Sequence, residues 1–339
     1  MPVFERKAGL PGYCAAPGRV RNRRGFTLLE LLVSTAIFAL MLVMIFSIIN
    51  QTGMVWRSAT KNLSTFQSAR QAFDILTHAI GAATLNTHWD YQFTGGQPDR
   101  YRRNSDLHFL LGAAGQNGLP GTEGCGQAVF FQALLGKNTT AAGAPGANQF
   151  LNELGFYVEF GSDHEELPSL LRSRLSEKYR YRLFQTIKPT EELTIYTQTN
   201  SSDWIDPANA QPIADNVIAL ILAPRRAPAE EETRGLLTLV PQYDSRKNDT
   251  AAPQPVTAHQ LPPFLEVFLV AIDETSALRI QSGGSPPPKI AQALSGKFLE
   301  VAQLSQDLED LEKELLSDNI QSRVFSTRIP MRESKWSEY

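Results

Sequence analysis

A chain of 339 residues with 42% hydrophobic and 20% charged side chains has the composition of a folded protein, so disorder along the whole chain is excluded, and its length allows one large domain or two ordinary ones. The formal charge of −3 conceals a polarity: residues 1–25 carry six basic side chains against one acidic, a net +5, which leaves the rest of the chain at −8. A basic head on an acidic body offers no basic surface for nucleic acid as a main partner. The two cysteines, Cys14 inside the basic head and Cys125 in a glycine-rich stretch, cannot build a disulfide framework or a thiolate metal centre.

From Phe26 to Ile49 runs a stretch of 24 residues in which Glu30 is the only charge and Thr27, Ser34, Thr35 and Ser47 are the only other polar side chains. At ~1.5 Å per residue this is a helix of roughly 36 Å, enough to cross a hydrocarbon core. Arg19, Arg21, Arg23 and Arg24 precede it, whereas only Arg57 and Lys61 come closely after, so the positive-inside tendency keeps the N-terminus cytoplasmic and exports the chain beyond residue 50. No small-x-small cleavage pattern closes the run, since Phe46 to Gln51 is too bulky, and the segment is expected to be retained. A carboxylate inside such a span costs ~2.5 kcal/mol or more unless paired or neutralised, which singles out Glu30 as functional.

The string Arg23-Arg24-Gly25-Phe26-Thr27-Leu28-Leu29-Glu30-Leu31-Leu32-Val33 resembles the type IV prepilin signature. The resemblance implies that a membrane prepilin peptidase and methyltransferase cuts after Gly25 on the cytoplasmic side and N-methylates Phe26. It also makes Glu30 the fifth mature residue, retained for assembly, with the positive amine at Phe26 of a neighbouring subunit as its counter-charge. The implied organisation is a basic leader at 1–25, a transmembrane part of the N-terminal helix at 26–50, an amphipathic part at 51–85, and an exported head at 86–339.

After the span the apolar pattern becomes one-sided: Trp56, Ala59, Leu63, Phe66, Phe73, Leu76 and Ile80 recur at spacings of three and four, which predicts that the helix continues to about residue 83, where Gly81 weakens it. Strands are predicted at Leu107–Leu111, Ala128–Leu135, Leu154–Phe160, Tyr179–Ile187, Val217–Ala223, Leu236–Val240, Leu265–Ile272 and Val324–Met331. Within Tyr179-Arg180-Tyr181-Arg182-Leu183-Phe184 the alternation sets arginines on one face and aromatics on the other. Long loops fill 86–104, 112–126, 136–149, 200–216 and 244–262; the period-three glycines at 112–124 are too few for collagen and predict a flexible loop. Ile290, Leu294, Phe298, Val301, Leu304, Leu308, Leu311 and Leu315 predict one further amphipathic helix over about 288–317, with an acidic outer face that either faces solvent or joins a short coiled coil with another subunit. A long helix followed by antiparallel strands is the α+β class, here pilin-like.

The runs Tyr181-Arg182-Leu183, Ile213-Ala214-Asp215-Asn216-Val217, Leu261-Pro262-Pro263-Phe264-Leu265-Glu266-Val267 and Arg323-Val324-Phe325-Ser326-Thr327 resemble the Verru_Chthon cassette protein C family and, more loosely, the J-type minor pseudopilins of type II secretion. In the latter, a stretch like Asp215-Asn216-Val217, an apolar strand, then Leu-Pro and a strand organises the sheet; the helix at 288–317 departs from that pattern.

No catalytic or metal constellation emerges. His78, His88, His108, His164 and His259 stand at no ligand spacing, His164-Glu165-Glu166 reads as an acidic loop, and neither a G-x-S-x-G elbow nor a phosphate-binding loop occurs. No cofactor is implied. The expected partners are the prepilin peptidase, other pilin or pseudopilin subunits and inner-membrane lipid. Three readings remain: a minor pilin or pseudopilin, an exported binding module using the pilin signal only for export, and a tethered exported enzyme.

Overall fold

The computed structural model describes residues 27–137, 150–164, 167–174, 176–197, 204–281 and 283–337, with the side chains of 54, 55 and 57–65 excepted. Contacts divide the chain into two units between Trp56 and Arg57. One helix, α1 (Leu28–Gly81), opens the described chain. Its stretch Leu28–Gly53 has a mean hydropathy of 2.7 and none of its window is buried within the protein.

In the second unit, the sequence stripe on α1 becomes core from Phe66 onward: Ala69, Ala72, Phe73, Leu76, Ala79 and Ile80 are buried and Phe66 packs against them, whereas Trp56 is 74% exposed. The small residues between the large ones let the helix lie close to its sheet. Helix α1 stops at Gly81, after which Ala83 forms a bridge with Ala133 and the Thr84 N–H donates to the Gln132 carbonyl at 2.9 Å.

The strands are β1 (His88–Thr94), β2 (Gln97–Asn104), β3 (Leu110–Ala113), β4 (Gln127–Leu134), β5 (Leu151–Ser162), β6 (Tyr179–Lys188), β7 (Gln211–Asp215), β8 (Val217–Arg225), β9 (Tyr243–Asp244), β10 (Phe264–Ile272) and β11 (Ser322–Pro330). They form a six-stranded sheet in the order β7-β6-β5-β4-β3-β9, a three-stranded sheet β11-β10-β8, and a separate hairpin β1-β2, with every strand pair antiparallel. Short helices α2 (Ser169–Arg172), α3 (Pro228–Arg234), α4 (Glu274–Ile280), α5 (Pro288–Leu294) and α6 (Leu304–Ser317) are interspersed. The expected α+β architecture, a long N-terminal helix with antiparallel sheets, is the one present.

The part of α1 from Phe66 onward lies on the three-stranded sheet: the Phe73 and Phe325 rings are 5.9 Å apart and the Arg323 guanidinium stands 5.5 Å over the Phe66 ring. Strand β8, an unbroken apolar run, packs against β4, β5 and β6 and is fully buried from Val217 to Ala223. A strand apolar on both faces needs cover on both, which is why no alternation is visible in its sequence. Its second edge is satisfied by the segment entering β4. The Leu220 N–H donates to the Cys125 carbonyl at 3.0 Å, and the Leu222 N–H to Gln127 Oε1 at 2.9 Å. Gly126 sits between these with φ +90°, where a Cβ would fall 2.0 Å from the Leu220 carbonyl oxygen, so only glycine fits.

Several expectations are corrected. Strand β3 begins at Leu110 rather than Leu107, because side chains take the preceding N–H groups: Leu107 donates to Ser105 Oγ, His108 to Gln132 Oε1 and Phe109 to Ser245 Oγ. Residues Leu236–Val240 form no strand; they come after Gly235 at φ +74° as irregular chain, and the Leu239 carbonyl accepts from the Val301 N–H instead. The single helix expected at 288–317 is two, α5 and α6. Gly296 and Phe298 both adopt positive φ between them, a conformation that breaks a right-handed helix, and Asp307 Oδ2 of α6 accepts from the Phe298 N–H at 2.8 Å. Leu304, Leu308, Leu311 and Leu315 of α6 are buried inside the chain's own core.

The glycine stretch at 112–126 is packed turns rather than a free loop: Ala114, Leu119 and Cys125 are buried, and the Thr122 N–H donates to the Val158 carbonyl at 2.9 Å. Burial pushes the Cys125 thiol up to about 12, leaving it inert. The loops expected at 86–104 and 200–216 contain β1 with β2, and β7, whereas 244–262 includes only Asp244, the last residue of β9, and is otherwise irregular.

Candidate functional site

Helix α1 starts at a threonine because its first N–H groups need acceptors. The Glu30 N–H donates to Thr27 Oγ1 at 3.3 Å and the Leu31 N–H to the Thr27 carbonyl at 3.2 Å. Thr27 with Glu30 three residues on is the spacing of a capping box, and a carboxylate in the first turn is favoured by the helix dipole. Glu30 stands in that first turn. It is also exposed at the head of Leu28–Gly53, a 26-residue surface of leucine, isoleucine, valine, phenylalanine and methionine in which it is the single charge. An isolated helix with an apolar surface on all sides is stable only where lipid or other apolar helices cover it. Gly25 and Phe26, the residues of the expected cut and methylation, lie outside the described residues, as do Cys14, Glu165 and Glu166.

In the second unit, the chain passes from the six-stranded to the three-stranded sheet at Asp215-Asn216-Val217, between β7 and β8. Asn216 has φ +59°, a left-handed conformation that asparagine tolerates, and it is buried. Its N–H donates to the Tyr181 carbonyl at 2.7 Å, and its carbonyl accepts from Ile272 at 2.9 Å, so one residue fastens β6 to β10. Its side-chain Nδ2 donates to Glu274 Oε2 at 2.6 Å, and Arg180 bridges Asp215 at 3.2 Å and Glu274 at 3.3 Å. This network borders a polar cleft of about 770 Å³ that also includes Lys178, Asp163 and Arg182. Arg180, one of the two arginines of the β6 alternation, is therefore ion-paired to acidic partners that lie 35 and 94 residues away in sequence. Arg182 instead donates to the Ser162 carbonyl and stands 5.0 Å over the Phe184 ring, so the arginine face is not free of aromatics, contrary to expectation.

A second buried cluster joins residues that looked scattered. His108 accepts from Trp204 Nε1 at 3.2 Å through Nδ1, which leaves its Nε2 proton for Asp244 Oδ1 at 2.7 Å. Burial pushes the Asp244 carboxyl up, but the His108 hydrogen bond and the Arg246 backbone outweigh it and hold it below the ordinary carboxylate value. The imidazole is fully enclosed, with both nitrogens engaged, so this pair fastens Trp204 to the sheet, while the Asp244 side chain keeps 27% of its surface exposed. Glu153 and Lys188 act likewise: the pair is 3.5 Å apart and buried, Glu153 accepts from the Thr194 and Ile195 N–H groups, and Lys188 donates to the Trp204 carbonyl. Among the described residues no group of three or more His, Cys, Asp or Glu is placed to hold a metal.

Gly95-Gly96 and the polar residues of 86–104 dominate the pattern there and predict loop, yet the chain forms the hairpin β1-β2. Its aromatic alternation Trp89-x-Tyr91-x-Phe93 was the available signal.

A model of the prokaryotic N-terminal methylation motif matches residues 20–46. No curated protein and no solved structure matches the chain. The motif covers Gly25, Phe26 and Glu30 together with the opening of α1. The chain thus carries a type IV pilin-like prepilin signal on an N-terminal helix that marks a single-pass membrane anchor.

Proposed function

We propose that the chain is a minor pilin or pseudopilin: a structural subunit of a type IV pilus-like or type II secretion-like filament, cut after Gly25 and N-methylated at Phe26. The observation that carries this reading is the combination of the methylation motif at 20–46 with an uncovered apolar helix whose one charge is Glu30. In this reading residues 1–25 are a cytoplasmic leader, 26–50 the transmembrane part of the helix, 51–85 its amphipathic part, and 86–339 a head outside the cytoplasm. The partners are the prepilin peptidase and methyltransferase, neighbouring subunits and inner-membrane lipid. The looser likeness to the J-type minor pseudopilins is supported by the sheet-joining role of Asp215-Asn216-Val217 and by the pairing of the strand after Leu261-Pro262 with β8.

Glu30 then has two opposed effects. Within the membrane its charge is costly, so Glu30→Val improves insertion by ~2 kcal/mol or more. In a filament the neighbour's Phe26 amine loses its counter-charge, and removing one partner of a buried pair costs ~3–5 kcal/mol. The variant is expected in the inner membrane at normal level and processed, yet absent from sheared filaments and from cross-links to partner subunits. If it assembles like wild type, the second reading, a membrane-anchored binding module that uses the signal only for export, replaces the first. That second reading is favoured by one observation, the exposed aromatic hairpin.

A further inference from the structure

Hairpin β1-β2 belongs to neither sheet, yet it is firmly held at its base. Arg103 is buried and donates through Nε to the Ala258 carbonyl at 3.1 Å, through one terminal nitrogen to Pro255 at 2.9 Å, and through the other to Ser337 at 3.2 Å. Gln254 closes the clamp, accepting from the Arg103 N–H at 3.0 Å and donating to its carbonyl at 2.9 Å. The Arg103 guanidinium also stands 5.9 Å from the Trp89 ring centroid, which steadies the first ring of the ribbon.

Beyond this anchor the ribbon presents aromatics to solvent. Trp89, Tyr91 and Phe93 alternate along β1 and so share one face, and Tyr101 pairs with Tyr91 across the ribbon. They are 57%, 48%, 62% and 61% exposed. The Tyr91 and Tyr101 rings are 4.4 Å apart with their hydroxyls hydrogen-bonded, and the Phe93 ring lies 6.5 Å from Tyr91. Three rings thus follow one another along one face of β1, with a register irregularity of the ribbon between Gln92 and Phe93. No folding requirement explains solvent-facing rings at every second position of a ribbon held by an independent clamp.

Area and charge restrict the occupant. Four aromatic side chains exposed by about half amount to roughly 450 Å². A stable protein interface needs ~800 Å² on each partner, so the patch is too small to hold a second protein by itself. A surface built for an anionic bilayer is basic. Here Asp90 and Asp99 balance Arg100 and Arg102, Asp99 is ion-paired with Arg100 at 3.1 Å, and Arg103 is committed to carbonyls. A neutral ligand with flat apolar faces and hydroxyls, long enough to lie across successive rings of one strand, fits both limits. We infer that the aromatic face of hairpin β1-β2 binds a neutral β-linked glycan chain, its sugar rings stacking on Trp89, Tyr91 and Phe93 and its hydroxyls meeting those of Tyr91 and Tyr101. An extended β-1,4 chain presents C–H faces at successive sugars, matching rings set at every second residue along β1; a curled α-linked chain does not. Glycan binding of this kind is independent of filament entry, since Glu30 takes no part in it.

The test uses the full chain purified in an ethoxylate detergent, which has no sugar headgroup, titrated with cellohexaose and with maltohexaose while tryptophan fluorescence and binding heat are read. Saturable binding of cellohexaose, at least tenfold weaker for maltohexaose, is expected. Trp89→Ala is expected to weaken it at least tenfold and Trp89→Phe to restore most of it, and Phe93→Ser at the far end of the row gives an independent loss. Circular dichroism matching wild type qualifies each variant. Absence of cellohexaose binding, or binding indifferent to Trp89→Ala and Phe93→Ser, overturns the inference. So does Trp89-dependent quenching by brominated lipid in proteoliposomes, which would make the face a membrane contact, or a dimer in sedimentation that Trp89→Ala dissolves.

Discussion

The stretch Leu28–Gly53 and strand β8 are composed of the same kinds of side chain and meet opposite fates. In β8 every residue from Val217 to Ala223 is withdrawn from solvent by β10, the six-stranded sheet and the segment 125–127, whereas among the described residues none of the most apolar window of Leu28–Gly53 is buried. Covering β8 is an internal matter, satisfied by the chain's own core. Covering the helix needs another phase or other molecules, so its apolar character is a statement about surroundings. The difference shows that hydrophobicity alone does not separate a core element from an interface; the presence of cover does.

The comparison breaks most visibly under a buried charge. Ile221→Asp places a carboxylate between two sheets without a partner and is expected to cost more than ~4 kcal/mol, leaving no folded head by circular dichroism and proteolysis. Leu40→Lys, at a matched apolar position in the uncovered helix, is expected to leave the head folded and to impair membrane insertion by ~2.5–3.5 kcal/mol, read by fractionation. Equal unfolding by both would show that the helix is part of the head's core.

Glycines sharpen the same contrast on a smaller scale. Gly126→Ala forces a Cβ onto the Leu220 carbonyl at a positive φ and is expected to cost about 3 kcal/mol in urea unfolding. Gly53→Ala meets nothing within 4 Å inside a helix and is expected to be neutral or to stabilise by ~0.5–1 kcal/mol.

The smallest effect is a pH dependence confined to the head. Burial lowers the His259 imidazole below its ordinary value of 6.5; Asp249 at 3.2 Å opposes this, and Arg246 and Arg102 add to the lowering. Because the unfolded chain takes up the proton first, the stabilisation is complete above pH 6.5 and is lost as the pH falls from there through the folded-state value. The head is expected to melt at a lower temperature at pH 5 than at pH 7, and His259→Asn, which tolerates the local φ of +54°, is expected to flatten that slope. Residues Leu28–Gly53 carry no histidine and contribute nothing to it.

The features legible in the sequence divide from the hidden ones along physical lines. Periodic elements that bury one face or two were visible: α1 to Gly81, β4, β5, β6, β8, β10 and β11 stand close to their expected places, since pattern and burial coincide there. Elements whose backbone is claimed by distant side chains were not. The N–H groups at 107–109 go to Ser105, Gln132 and Ser245, so an apolar run that reads as strand starts late. The continuous three-four spacing across 288–317 hid a break, because Phe298 is apolar and buried whether or not it is helical. At the candidate site, Glu30 stood out as a charge in an apolar run, and its link to Thr27 was present in the spacing. The ion pairs of Arg180 were not visible, because pairing across 35 and 94 residues leaves no local pattern.

In the proposed reading the junction between residues 1–25 and the apolar helix governs filament entry, and the mature N-terminus tests that reading most directly. Mass spectrometry of the protein extracted from membranes of a strain with an active prepilin peptidase is expected to find N-methyl-phenylalanine from Phe26 as the first residue, with Gly25→Val retaining residues 1–25. Recovery of the wild-type chain with residues 1–25 intact, or with a free terminus beyond Ile49, would contradict it.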